Sequence, residues 1–127
     1  MTLVVDGMNV IGSRPDGWWR DRAGAALRLA DRLARLAKER DDPVVLVLDG
    51  RPSERLGEGD HDGVSVLYAR RGGRDAADDR IVELLGAHEQ PGSVVVATSD
   101  RGLAERVRAV GGQVMSAGEL LRLLDRG

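Results

Sequence analysis

Aspartate is the residue type with chemistry to offer here: 14 of the 127 residues are Asp against 7 Glu, and their placement matters more than the excess. Asp6, Asp49 and Asp100 each follow a short apolar run, at Val4-Val5, Val44–Leu48 and Val94–Ala97. A further group, Asp75, Asp78 and Asp79, crowds the start of a helical pattern. Carboxylates gathered at one place bind hard divalent cations or handle protons. Other chemistries are excluded by composition. No cysteine is present, which removes thiol nucleophiles, zinc ribbons and disulfide scaffolds. Lys38 is the single lysine and sits in a helical charge pattern, so no phosphate-loop lysine exists. His61 and His88 lie far apart without zinc-protease spacing. Neither G-x-S-x-G nor G-x-G-x-x-G occurs.

The elements that position these acids can be read from the apolar pattern. Val44-Val45-Leu46-Val47-Leu48 is continuously apolar, as a strand covered on both faces must be. Leu3-Val4-Val5, Val64–Tyr68 and Val94–Ala97 read the same way, and a short strand is expected near Gln113–Met115. Helical spacing of apolar residues predicts helices over 18–40, 76–88, 101–110 and from Ala117 to Leu124. Asp41-Asp42-Pro43 stops the first of these, and Ser116-Ala117-Gly118-Glu119 is a capping box for the last. Asp6-Gly7 reads as the start of a tight turn with Asn9 in the loop beyond it, and residues 50–63, rich in Gly, Pro and acids, as a long loop. Strands alternating with helices predict a three-layer α/β domain on a mainly parallel, five-stranded sheet, with residues 1–127 forming one domain. No apolar run approaches the roughly 20 residues needed to cross a bilayer. Without a leader pattern either, a cytoplasmic domain with no membrane partner is expected.

In such a sheet, ligands bind beyond the carboxyl ends of the strands. Asp6, Asp49 and Asp100 are therefore carried to one edge, and the Asp75–Asp79 group emerges there too. Each has an ordinary alternative. Asp49-Gly50 is common turn chemistry, Asp75 and Asp100 are placed to cap helices, and Asp78 and Asp79 favour a positive helix end. Asn9 suits a turn. Four segments converging on one edge is what those local roles leave unexplained. Two bare carboxylates about 4 Å apart repel by roughly 1–4 kcal/mol. A cation among them relieves this, and magnesium or manganese suits an all-oxygen set. The formal net charge of −2 does not itself announce a nucleic-acid binder. Arginines do flank the expected edge, however: Arg70, Arg71 and Arg74 before the acidic helix start, Arg51 and Arg55 after Asp49, and Arg14, Arg20 and Arg22 after the first strand. Guanidinium groups there would grip phosphates, or would form only a solvated surface in a chain with 18 Arg against 1 Lys. Trp18 and Trp19 are expected to pack within the first helix.

Val4-Val5-Asp6-Gly7-Met8-Asn9-Val10-Ile11-Gly12, Val47-Leu48-Asp49-Gly50, Ala77-Asp78-Asp79-Arg80-Ile81 and Val96-Ala97-Thr98-Ser99-Asp100 resemble, in order and spacing, the NYN branch of the PIN-like nucleases. The YacP-like ribonucleases of bacteria are the nearest pattern within it. The resemblance implies a sheet ordered 3-2-1-4-5 in its five strands and a metal-dependent endoribonuclease leaving a 5′-phosphate and a 3′-hydroxyl. It implies that Asp6, Asp78 and Asp100 bind the metal, that Asp79, a second acid of the helix start, joins the metal set by positioning water or a second ion, and that Asn9 orients an acid or the scissile phosphate. Asp49 matches a strand-end position that is often acidic and joins the metal set. RNA is the implied partner, with ribosome association by family analogy. Two positions depart from the pattern: Met8 replaces an aromatic residue, and Ala104 stands where some relatives have another acid, with Glu105 rotated about 100° away. Two other readings remain open at this point. One is an RNA-binding adaptor without catalysis. The other is a haloacid-dehalogenase-type phosphatase, although the Asp-x-Asp that chemistry needs is absent, since Met8 stands two residues after Asp6.

Overall fold

A computed structural model describes residues 1–69 and 75–126. Its strands are β1 (Thr2–Asp6), β2 (Val44–Asp49), β3 (Gly59–His61), β4 (Val64–Ala69), β5 (Val94–Ala97) and β6 (Gln113–Met115). The helices are α1 (Gly7–Gly12), α2 (Arg22–Arg40), α3 (Ala76–Ala87), α4 (Arg101–Ala109) and α5 (Ala117–Arg126). The sheet order is β3-β4-β2-β1-β5-β6, parallel throughout except for β3 against β4. The expected order of five parallel strands is therefore present, with a sixth strand added at one edge.

That sixth strand corrects the long loop expected over residues 50–63. Gly59–His61 folds back on Val64–Val66 through Asp62-Gly63, both at positive φ (48° and 93°). This is the backbone of a two-residue turn that suits a tightly twisted hairpin. Residues 7–12 form a helical turn rather than a tight loop. The helix expected over 18–40 is broken as well: Trp18–Arg20 is a 3₁₀ turn, and α2 begins after Asp21, whose carboxylate accepts the Gly24 N–H at 3.0 Å. Its other end is as expected, with Asp41 left-handed at φ 53° before Pro43. The Ser116 capping box is present, the Glu119 N–H donating to Ser116 Oγ at 3.1 Å.

Alternation along the strands divides the core in two. Leu3, Val5, Leu46, Leu48, Val66 and Tyr68 pack with α1, α2 and α5, whereas Val4, Val47, Val94 and Val96 pack under α3 and α4 through Ile81, Leu85, Leu103 and Val107. Side chains two residues apart share a face. Asp6 follows Val4, Asp49 follows Val47 and Thr98 follows Val96, so all three extend the α3–α4 face at its carboxyl edge. Close packing sets the turn after β1. A Cβ on Gly7 would lie 2.6 Å from Leu48 Cδ2 and 2.8 Å from the Val47 carbonyl oxygen, closer than side-chain carbons are found. Only glycine lets α1 begin directly behind Asp6. No helix among the described residues is long and apolar enough to cross a membrane.

Candidate active site

Asp6 ends β1 immediately before α1, at the position where an aspartate ordinarily caps the helix. It makes no such cap. Its Oδ2 instead accepts the hydroxyl of Thr98 at 2.8 Å, across from β5. The residue is only 6% exposed. Burial pushes its pKa up to about 6; the Thr98 hydrogen bond opposes the rise, and the charges of Asp78, Asp49 and Asp100 add to it. The carboxyl group is thus held where its ionised form is disfavoured, and three other acids contribute to that.

Those three come from separate elements. Asp78 lies in the first turn of α3, one turn before Ile81 and two before Leu85, so it continues the buried stripe of that helix towards the sheet edge. Burial raises its pKa, Asp100 and Asp75 raise it further, and Arg106 draws it down. Asp49 ends β2, and burial raises its pKa against the pull of Arg22. Asp100 caps α4, its Oδ1 accepting the Leu103 N–H at 3.0 Å. The structure thus brings Asp6, Asp49, Asp78 and Asp100 into one electrostatic neighbourhood. Among the described residues no group of three or more His, Asp or Glu is arranged as a ready-made metal cage.

The remaining expected residues are placed differently. Asp79 turns away on α3 and pairs with Arg106 of α4 at 2.9 Å. Asp75 stands at the capping position of α3, but its side chain makes no cap. Asn9 accepts the Ser99 N–H on Oδ1 at 2.8 Å, which ties α1 to the segment after β5. Arg14 is engaged by Asp125 at 2.7 Å and Arg55 by Asp21 at 3.1 Å, so neither waits at the edge for a ligand. Arg22 and Arg51, with Asp49, line a cavity of about 260 Å³. Arg70, Arg71 and Arg74 lie outside the described residues. Met8 is half-buried against the core, Ala104 is buried and Glu105 is exposed. Trp18 packs against the core from its 3₁₀ turn while Trp19, 53% exposed, does not.

Thr98 is the residue that sequence reasoning passed over. It is buried, donates to Asp6 and accepts the Asp100 N–H at 3.1 Å on the same hydroxyl. One side chain thereby fixes two acids relative to each other. The segment carrying it is anchored from both sides: the Thr98 N–H donates to the Met115 carbonyl at 2.8 Å, and Ser99 Oγ accepts the Ala117 N–H at 2.9 Å. A hydroxyl residue at the buried end of an otherwise apolar strand, two positions before an Asp, was the available signal.

Known proteins show the same arrangement of chain. The family model described as YacP-like NYN domain matches residues 3–127. The crystal structure of Rae1 (YacP) from Bacillus subtilis is similar at 27% identity, over 99% of this chain and 74% of that one, with a TM-score of 0.79. A mutant of the same protein gives 26% identity, 98% and 75% coverage and a TM-score of 0.81. No curated protein matches the chain in sequence.

Proposed function

The chain belongs to the YacP-like NYN domain family, and from that premise we propose that it is an endoribonuclease that hydrolyses RNA phosphodiester bonds with a bound magnesium or manganese ion. The observation that carries this reading is the buried Asp6, its pKa pushed up to about 6 with Asp78, Asp49 and Asp100 all adding to the rise. Such an assembly is unfavourable when ionised and favourable around a cation. Its donors are all carboxylate oxygens, the chemistry that hard divalent ions select, so the residues fit the group. Asp49 and Asp100 are exposed and Asp78 half-buried, which leaves their side chains room to turn onto an ion.

In this reading Asp6, Asp78 and Asp100 hold the metal and Asp49 stands at its rim. A bound ion would lower the pKa of an attacking water and neutralise phosphate oxygens. The chain's own contribution is placement. Thr98 holds one oxygen of Asp6 and the backbone of Asp100, and Asn9 fixes the segment between them through Ser99. Asp79 acts further out, its pair with Arg106 bracing α3 on α4 and so setting where Asp78 stands.

The test is cleavage of one labelled RNA by the parent and by Asp6→Asn, each with manganese and then with excess chelator. Asn keeps the size and can still accept from Thr98, but it removes the charge that attracts the ion. Several kcal/mol of metal-dependent stabilisation correspond to a loss of at least about a thousandfold. The parent's products should carry a 5′-phosphate and a 3′-hydroxyl. Full activity in Asp6→Asn, or cutting that survives the chelator, would overturn the reading; RNA binding without cutting would favour an adaptor.

A further inference from the structure

We propose that the cavity beside Asp49 is a nucleotide subsite, taking the base of one RNA residue next to the bond presented to the acids; this rests on the ribonuclease reading above. The cavity measures about 260 Å³ and lies over the carboxyl ends of β2 and β4, where α1 and the start of α2 meet. Leu48 and Tyr68, both buried, form its floor, and the half-buried Met8 forms a wall. Tyr68 spends its hydroxyl on the Leu56 carbonyl at 2.8 Å, so only its ring is left to a ligand. The interior therefore favours a flat, weakly polar group.

The mouth is the opposite in character. Arg22, Arg51 and Asp49 line it, all three exposed. The Arg22 guanidinium sits 5.4 Å from the centre of the Trp18 ring, which holds it in place by a cation–π contact. A ligand that is flat and apolar at one end and anionic at the other matches this pair of surfaces, and a nucleotide within an RNA chain is such a ligand. Splayed-out bases stacked on aromatic or guanidinium planes are the usual way single-stranded RNA is held. Continuity with the site supports the assignment further. Asp49 lines the cavity and also adds its charge to Asp6 and Asp78, so an RNA residue seated here adjoins the acids at the carboxyl edge of the sheet. The apolar floor recognises shape, and purines and pyrimidines should both enter. A larger hollow of about 890 Å³ at the other end of the sheet, bordered by Asp31, Lys38 and Asp62, lacks this division between an apolar floor and a cationic mouth.

The experiment has two arms. In the first, uridine 5′-monophosphate and ribose 5-phosphate are titrated while the Met8 methyl resonance is followed. Saturable shifts with the nucleotide, and much weaker ones with the base-free sugar phosphate, are expected. In the second, Ala23→Leu fills the cavity from its half-exposed side, and a short RNA carries one abasic residue scanned along its length. The variant and the abasic residue adjoining the cut should each raise KM by about 5- to 100-fold, the range of one lost base stack, with kcat little changed. Together they should lose no more than either alone, because both empty the same contact. An exposed alternative, Arg22→Lys, keeps the charge but loses the planar stack and should fall between. A Met8 signal indifferent to the nucleotide, or KM losses that multiply, would overturn the subsite. An inactive protein whose Met8 methyl responds to the nucleotide would keep the subsite and fail only the ribonuclease reading.

Discussion

Asp125 on α5 accepts from Arg14 at 2.7 Å and from Arg32, and these partners hold its carboxyl below the usual range. Asp21 is in the same position, with the Gly24 N–H and Arg55 favouring its charge. At the carboxyl edge of the sheet the relation reverses. Asp6, Asp49 and Asp78 are pushed up, with burial the largest cause in each. Asp21 and Asp125 are thus charged because their surroundings welcome the charge, and Asp6, Asp49 and Asp78 are charged against the preference of theirs. The helix starts differ as well. Asp21 and Asp100 cap their helices, whereas Asp6 gives up a cap, worth about 1 kcal/mol, to meet Thr98 instead. The edge is built for something other than the stability of the empty protein, and the two regions should respond to pH and to substitution in opposite directions.

Asp6→Asn, measured for stability in chelator, gives the largest expected contrast. The folded pKa of about 6 lies above the ordinary aspartate value of 3.8. A raised folded pKa means that Asp6 favours folding below pH 4 relative to higher pH, and that this advantage is lost as pH climbs through 6. The difference of about two pKa units corresponds to roughly 3 kcal/mol. Asp6→Asn should therefore be more stable than the parent by up to that amount at pH 7.5 and nearly equal to it at pH 4. Urea melts of both proteins at the two pH values give the comparison. A variant less stable than the parent at pH 7.5 would mean that the charge of Asp6 has a structural partner.

Gly7→Ala comes next and separates the scaffold of the edge from its charges. The added methyl group meets the Val47 carbonyl and Leu48 at under 3 Å. Backbone cannot yield as a flexible side chain can, and overpacking of this kind typically costs about 1–3 kcal/mol. Unlike Asp6→Asn, the loss should be equal at pH 4 and pH 7.5. Activity should fall too, because α1 carries Asn9 and begins directly behind Asp6. Melting curves at both pH values, alongside RNA cleavage, decide it; a fully active, unperturbed Gly7→Ala protein would show that the close approach is not needed.

How much of this was legible in the sequence follows from the range of the interactions involved. Continuous apolar runs identified the parallel strands, and the family pattern supplied their order. The convergence of Asp6, Asp49, Asp78 and Asp100 followed from three strand ends and one helix start. Short elements were not legible: α1 is too brief to display a helical period, and the flanks of Asp62-Gly63 lack the apolar alternation that marks a hairpin. Asp21 caps α2, but the apolar residues on both sides of it concealed the break. Thr98 bonds a residue 92 positions away, which no local pattern reports. The cavity beside Asp49 has the same origin, since Met8, Arg22, Leu48 and Tyr68 meet only once two strands and two helices are assembled.

Asp125→Asn should produce the smallest effect and completes the contrast. Asp125 and Arg14 face solvent and Arg32 is half-buried, so water reaches both ion pairs. Such ion pairs gain little in water because side-chain ordering and salt screening offset the attraction. The direction of the small effect is nevertheless fixed. A lowered folded pKa contributes stability above the unfolded value of about 4, and that contribution disappears as pH falls through the folded pKa. Asp125→Asn should accordingly be slightly less stable than the parent at pH 7.5, the reverse of Asp6→Asn, and indistinguishable from it well below pH 4. Added salt should shrink the difference at pH 7.5, since screening acts on exposed charges. The same salt should leave most of the Asp6→Asn gain in place, because burial is the first cause of that shift and salt does not undo burial. Thermal scans of the three proteins in chelator at low and high salt measure both trends together. A salt-sensitive Asp6 with a salt-insensitive Asp125 would reverse the assignment of the two regions.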